Sequence, residues 1–181
     1  QVQEYKAEIN SLQELSNELE EMAPQIEILS MTEHRPRLFQ ALDQAKKLVI
    51  IVSPWLNLTG MNRELRQKIE KALKRGVDVK IGYGYDKEDD YKTRDAIREL
   101  GQLKKGKKGK LQLFRFEDTH AKVVIWDDRN MITTSFNWLS FAGRRDWGNR
   151  IELGTLTRHR KAVLQMLGKL EPMFAKAKRI I

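Results

Sequence analysis

The sequence predicts an α/β fold, a mixed β-sheet flanked by helices, and three observations carry that reading. "KLVIIVSPW", residues 47–55, is a short apolar run stopped by Ser53 and Pro54, the pattern of a strand buried on both faces. "TGMNRELRQKIEKALKRG", residues 59–76, puts Leu65, Ile69, Ala72 and Leu73 on one helical face and closes on Gly76. "VDVKIGYG", residues 77–84, is a second strand. Strand, helix and strand in that order make a βαβ unit, hence a parallel pair.

The other elements follow from the same periodicities. Residues 2–30 read as an amphipathic helix. Tyr5, Ile9, Leu12, Leu15, Leu19, Met22 and Ile26 recur at three- and four-residue steps, and Pro24 breaks or kinks it. Glu4, Glu8, Glu14, Glu18, Glu20 and Glu21 make this arm acidic. Residues 1–31 are therefore set apart as a dimerisation, packing or linker helix, and 32–181 as the main domain. "TEHRPRLFQALDQAK" is a helix with Leu38, Leu42 and Ala45 on one face. "DKEDDYKTRDAIRELGQL" begins polar and becomes a helix ending near Gly101. "KKGKKGK", residues 104–110, is a loop too rich in glycine and charge to pack. The strands "LQLFRF", "AKVVIWD", "NMITTSFN" and "RIELGTLT" come next, the second and third joined by a turn at Asp127–Asn130. A helix from Arg158 to Lys178 closes the chain, with Leu164, Met166, Leu167, Leu170 and Phe174 as its apolar face.

Composition bounds the function. With 181 residues, 40% of them apolar, the chain has material for one core plus an appendage. It has no cysteine, which excludes disulfides, thiol catalysis and thiolate zinc sites. No run approaches the roughly 20 apolar residues of a membrane span. With no signal peptide in sight, a cytoplasmic protein is expected, and the missing initiator Met suggests a piece of a longer one. The formal charge of +9 favours polyanionic partners, nucleic acid or an anionic membrane surface.

"HAKVVIWDDRNMITTSFNWLS", residues 120–140, concentrates polar groups in an otherwise apolar hairpin. His120 and Lys122 alternate along a strand and share a side, as do Ser135 and Asn137 across the turn. If the strands pair, all four line one pocket, and Glu152 on the next strand adds a carboxylate. Histidine titrates near neutrality and serves as nucleophile or acid/base. Lysine, serine and asparagine suit the spread negative charge of a phosphoryl transition state. Glu152 could hold a histidine ring N–H and set its tautomer. No carboxylate cluster offers itself for magnesium. The residues point to covalent histidine chemistry on phosphate with neither metal nor cofactor.

The spacing also resembles a known family. His120-x-Lys122, four residues, Asp127, six residues, then Thr134-Ser135-x-Asn137 is similar to the HKD motif of the phospholipase D superfamily. The one departure is Thr134, where that family usually carries glycine. "SPWL", "KRGVDVKI" and the Glu152-Leu153-Gly154 segment also resemble its framework, over residues 33–181. The resemblance implies a phospholipase D-like catalytic domain in which two motifs build one active site. One histidine attacks phosphorus; the other protonates the leaving oxygen and then activates water. Lysine and asparagine hold the phosphate oxygens, and Asp127 anchors the turn or a histidine.

Only one such motif is present: His34 is followed by Arg35-Pro36 and His159 by Arg160-Lys161. Both read as surface residues. The resemblance therefore implies a homodimer whose site is shared across a two-fold axis. The charge then favours a small nuclease, with DNA ahead of RNA, possible further domains in a parent DNA-processing or defence protein, and no membrane span. A phospholipid hydrolase and a non-cutting nucleic-acid-binding module are the alternatives. Lys104, Lys105, Lys107, Lys108 and Lys110 are candidates to track a nucleic-acid backbone. Arg144 and Arg145 are candidates for a substrate phosphate. Trp138 is core, pocket wall or a platform for a base.

Overall fold

The computed structural model describes residues 5–6, 9–15, 26–85, 89–103, 106–142 and 151–181. Within the N-terminal arm, 5–6 and 9–15 are helical and exposed. In chain order the remaining elements are β1 (Ile26–Leu29), α1 (His34–Gln44), β2 (Leu48–Val52), α2 (Arg63–Arg75), β3 (Asp78–Tyr83), α3 (Tyr91–Leu103), β4 (Leu111–Arg115), β5 (Val123–Trp126), β6 (Asn130–Thr134), β7 (Gly154–Thr157), α4 (Arg160–Lys176) and β8 (Lys178–Arg179).

The strands form one sheet in the order β1-β7-β6-β5-β2-β3-β4-β8. β2, β3 and β4 run parallel, as the strand–helix–strand reading requires. β5 is antiparallel to β2, and β6, β7 and β1 continue antiparallel from it. The sheet is mixed because short turns link β5 to β6 while helices link β2, β3 and β4.

Alternation along the strands splits the core in two. Val49 and Ile51 face one side with Val124, Trp126 and Ile132, under Leu38, Leu42, Leu65, Ile69, Leu73 and Leu100 from the first three helices. Ile50 and Val52 face the other with Val123, Ile125 and Met131, under Val163, Leu170 and Phe174 of α4. α2 starts on Asn62, whose side chain accepts from Leu65 N, and stops at Gly76, left-handed at φ 94°.

The structure departs from the sequence reading at both ends. The helix expected over 2–30 does not extend to Ile26–Leu29, which is strand β1 paired with β7; Pro24, Leu19 and Met22 lie outside the described residues. The closing helix ends at Lys176, and Lys178–Arg179 pair with β4. On α4, Val163, Leu167, Leu170 and Phe174 follow the i, i+4, i+7, i+11 stripe; Leu164 stands one residue round the helix and is exposed.

This topology gathers loops from distant parts of the chain. Since β5 runs against β2, the start of β5 lies beside the end of β2, with Val52 opposite Val123. The end of β6 likewise meets the start of β7, Thr134 opposite Gly154. The segments after β2, β3 and β6 and before β5 and β7 therefore converge on one edge of the sheet.

Candidate active site

On that edge Lys122 is buried and reaches back toward His120. Its Nζ donates to the His120 carbonyl at 2.8 Å and lies 3.3 and 3.4 Å from the two ring nitrogens. Whichever ring nitrogen lacks its proton accepts from the ammonium. Burial lowers the Lys122 pKa, and the Glu152 charge works against that shift. Thr134 N donates to the Lys122 carbonyl at 3.3 Å, which seats the Ser135 segment beside it. Ser135 Oγ donates to Glu152 Oε2 and accepts from Leu153 N at 3.2 Å. The Thr134–Lys122 backbone contact and the effect of the Glu152 charge on Lys122 put the Ser135–Glu152 pair in the neighbourhood of Lys122.

Asn137 Oδ1 is buried with no hydrogen-bond partner among the described residues. An unmade bond of this kind costs about 1–3 kcal/mol. The side-chain amide is left with hydrogen-bonding capacity that the described residues do not use.

The residues between these polar groups build the floor. Phe136 and Trp138 are fully buried, and His34 lies among them with no exposure. His34 stacks on Phe136 at 4.9 Å and 9° and meets Trp138 at 5.6 Å. The base-platform role for Trp138 is corrected: its ring is closed off in the core, held by Phe136 and His34. His34 is also not a surface residue. Its Nε2 lies 2.6 Å from Thr134 Oγ1, which donates to the Leu153 carbonyl and accepts from Phe136 N. Thr134 therefore fastens the motif to α1 and to the chain entering β7. The signal was in the sequence: His34, Leu38, Ala41 and Leu42 fall on one stripe of α1.

Desolvation lowers the His34 pKa, so the folded protein holds this ring neutral below the ordinary value of about 6.5. The unfolded chain then binds more protons, and stability falls as pH drops through that ordinary value, the loss completing below the folded one. Denaturant titrations at pH 8, 6 and 5 are expected to show this decline, and His34→Gln is expected to flatten it. Equal slopes in both proteins would count against a buried neutral His34.

A second buried base holds the loops together. Arg35 donates from Nη1 to the Trp138 carbonyl at 3.0 Å and from Nη2 to the Gly60 carbonyl at 2.6 Å. Burial pushes its pKa down to about 10. The two loops touch so closely at Gly60 that a Cβ there would lie 2.1 Å from the Leu139 backbone.

Two aromatic residues complete the surroundings of His120. Trp55 meets its ring edge-on at 5.9 Å and 89°, and Tyr85 lies at 5.5 Å. Sequence reasoning noticed "SPWL" as framework but did not bring Trp55 to the site, and it passed over Tyr85.

Other expectations fall elsewhere. Asp127 is at the far end of β5, left-handed at φ 55°, and its carboxylate accepts from the backbone N–H groups of Lys46, Lys47 and Leu48. It anchors the turn into β2 and is not a catalytic group. The lysine loop, in its described part 106–110, also lies at that far edge, where Lys110 N donates to Asp78 Oδ1 at the start of β3. Lys107 is paired with Glu70 at 2.8 Å, while Lys108 and Lys110 are exposed. The five-residue strand β4, about 17 Å long, separates Lys107, Lys108 and Lys110 from the edge that carries His120, so they are not part of its site. Lys104, Lys105, Arg144 and Arg145 lie outside the described residues.

Comparison with known proteins agrees with this fold. Residues 38–173 match the family model described as cardiolipin synthase, PLD-like domain. The fold is similar to Nuc from Salmonella typhimurium, a phospholipase D family member, at 19% identity and TM-score 0.69, covering 87% of this chain and 98% of that one. It is similar to NucT from Helicobacter pylori at 18% identity and TM-score 0.66, covering 87% and 99%. It is also similar to TrmBL2, an archaeal chromatin protein with a novel mode of DNA binding, at 16% identity and TM-score 0.61, covering 98% and 66%. A search of curated protein sequences returned no match.

Proposed function

Because the chain belongs to the phospholipase D superfamily, a superfamily of phosphodiesterases, we propose that it hydrolyses nucleic acid through a phosphohistidine. The observation that carries this reading is the buried Lys122 ammonium against the ring of His120. A positive charge there supports the reading, because it would offset the charge on phosphoryl oxygens as the ring nitrogen attacks. His120 donates a lone pair to phosphorus, the P–O bond to the leaving group breaks, and the leaving oxygen takes a proton. Water then attacks, the P–N bond breaks, and the histidine is released. No metal ion is required in either step.

In-line displacement needs the acid on the side of phosphorus opposite the nucleophile. We assign it to His120 of a second copy, which returns as general base toward water. Ile151 and Leu153 support this arrangement: they flank buried Glu152 yet are 82% and 58% exposed, an apolar rim that a second copy would cover. A net charge of +9 supports a polyanion such as nucleic acid over a zwitterionic phospholipid of no net charge. Among the described residues, no helix is long and apolar enough to cross a membrane.

The test is cleavage of labelled single- and double-stranded DNA and RNA in excess EDTA. Cutting there supports the proposal and identifies the preferred strand. Salt-sensitive binding without cutting favours a binding module, and release of phosphate esters only from phospholipid vesicles favours a lipid hydrolase.

The lowered Lys122 pKa adds a pH signature. As pH rises through it, the ammonium loses its charge, so activity is expected to fall at a pH below the ordinary lysine value of about 10.4. Lys122→Arg keeps its charge throughout and is expected to move that limb to higher pH, at a lower maximal rate. An unmoved limb would remove Lys122 as its source.

A further inference from the structure

Beside His120 lies a cavity of about 420 Å³ that the hydrolytic chemistry leaves unused. Its walls come from the segment after β2, with Trp55 and Asn57, and the segment after β3, with Gly84 and Tyr85; Thr93 and Ser140 close it. Trp55 and Tyr85 both line this cavity and both neighbour the His120 ring, so the cavity lies one side chain away from it. Small-molecule sites span roughly 300–1,000 Å³, and this one falls at the smaller end.

The chemistry of the lining selects among occupants. Trp55 and Tyr85 have ring centroids 4.9 Å apart and are inclined at 59°, a tilted pair that forms one aromatic wall. Tyr85 is 44% exposed, so part of this wall faces solvent. The carboxylates of the lining are already engaged. Asp89 accepts from Tyr83 Oη at 2.9 Å and from Arg115 Nε at 3.0 Å, and Asp90 caps Thr93 N at 2.8 Å. Lys92 brings a positive charge to the rim. A flat aromatic group joined to a phosphate fits this description; an acyl chain does not call for two aromatic faces and a polar rim.

We infer that this cavity is a stacking subsite for one unpaired nucleobase adjacent to the scissile phosphate. The inference rests on the nucleic-acid reading above and narrows it to a single strand. In a duplex the faces of each base are covered by its neighbours, whereas a splayed single strand offers them to protein aromatics. Trp55 and Tyr85 supply the platform and Lys122 marks the phosphate. The base therefore positions its own 5′ or 3′ linkage over His120, with no reading of its hydrogen-bonding edge required.

The test separates base from backbone. Affinities are measured for a labelled single-stranded oligodeoxynucleotide and for a fully abasic strand of equal length, using the His120→Ala protein so that neither is consumed. The intact strand is expected to bind about 5- to 150-fold more tightly, the worth of one stacked base. Trp55→Leu is expected to abolish that preference while leaving abasic binding unchanged, and Trp55→Phe to retain most of it. Equal binding of the two strands, or full preference in Trp55→Leu, would overturn the subsite. Circular dichroism of each variant guards against misfolding. Cleavage by the wild-type protein is measured in parallel: its absence would remove the hydrolytic reading, while the binding comparison still decides the subsite.

Discussion

His120→Ala is expected to lower diester hydrolysis in EDTA by on the order of 10⁴- to 10⁶-fold, the loss typical of removing a covalent nucleophile. Stability is expected to change by no more than about 0.5 kcal/mol, because the ring is exposed and contributes little to the core. That combination separates a chemical from a structural role. Mixing adds a sharper test. If two copies share one site, every wild-type subunit paired with a mutant is lost along with it. Activity then falls faster than the wild-type share as His120→Ala protein is titrated in and subunits exchange. A strictly proportional decline would mean that each copy carries a complete site, and the second acid would have to be sought within one chain.

Arg35→Met is the second large effect. Two terms oppose one another. Methionine removes the cost of burying a cation, visible in the depressed Arg35 pKa. It also strands the Trp138 and Gly60 carbonyls that the guanidinium serves. Each orphaned acceptor costs about 1–3 kcal/mol, and methionine offers neither a donor. The carbonyls win, and a net loss of about 2–4 kcal/mol is expected in denaturant unfolding. Activity in the still-folded fraction should fall as well, because Trp138 follows Asn137 directly and the released loop carries that amide with it. Arg35→Lys is expected to recover only part of both losses, since a point charge cannot span two carbonyls in a fixed fork. A variant as stable and active as wild type would show that these loops hold their places unaided.

How much of this was legible beforehand depended on how local each signal was. β2, α2 and β3 were readable because an apolar pentad, an amphipathic helix with Gly76 at its end and a second strand each declare themselves within a few residues. His120, Lys122, Ser135 and Asn137 were readable for the same reason, since one hairpin holds them. β1 was missed because Ile26 continues the three- and four-residue rhythm of the arm, while "IEIL" alternates over only four residues. β8 has two residues and no pattern to read. Trp55 and Tyr85 were missed for a different reason. They follow β2 and β3, and only the strand order, which places β5 against β2, brings them to His120. Asp127 was read as anchoring the turn or a histidine; it anchors the turn, because a strand of four residues carries it to the far edge, away from His120. Spacing in sequence reports the geometry of an element; membership of a site depends on which ends of the elements meet.

The pairing of β1 with β7 has a mechanical side. Leu29 lies opposite Gly154, and Gly154 is two residues from Glu152. Glu27 also ties the strand to Arg37 and Arg158 through its two carboxylate oxygens. Tension applied through the arm reaches β1 at Ile26, opposite Thr157, and loads a four-rung ladder whose last rung, Leu29 opposite Gly154, stands next to the hydrogen bonds that Leu153 and Glu152 make with Ser135. A pull on the arm is thereby carried across β1 and β7 toward the Ser135–Glu152 pair.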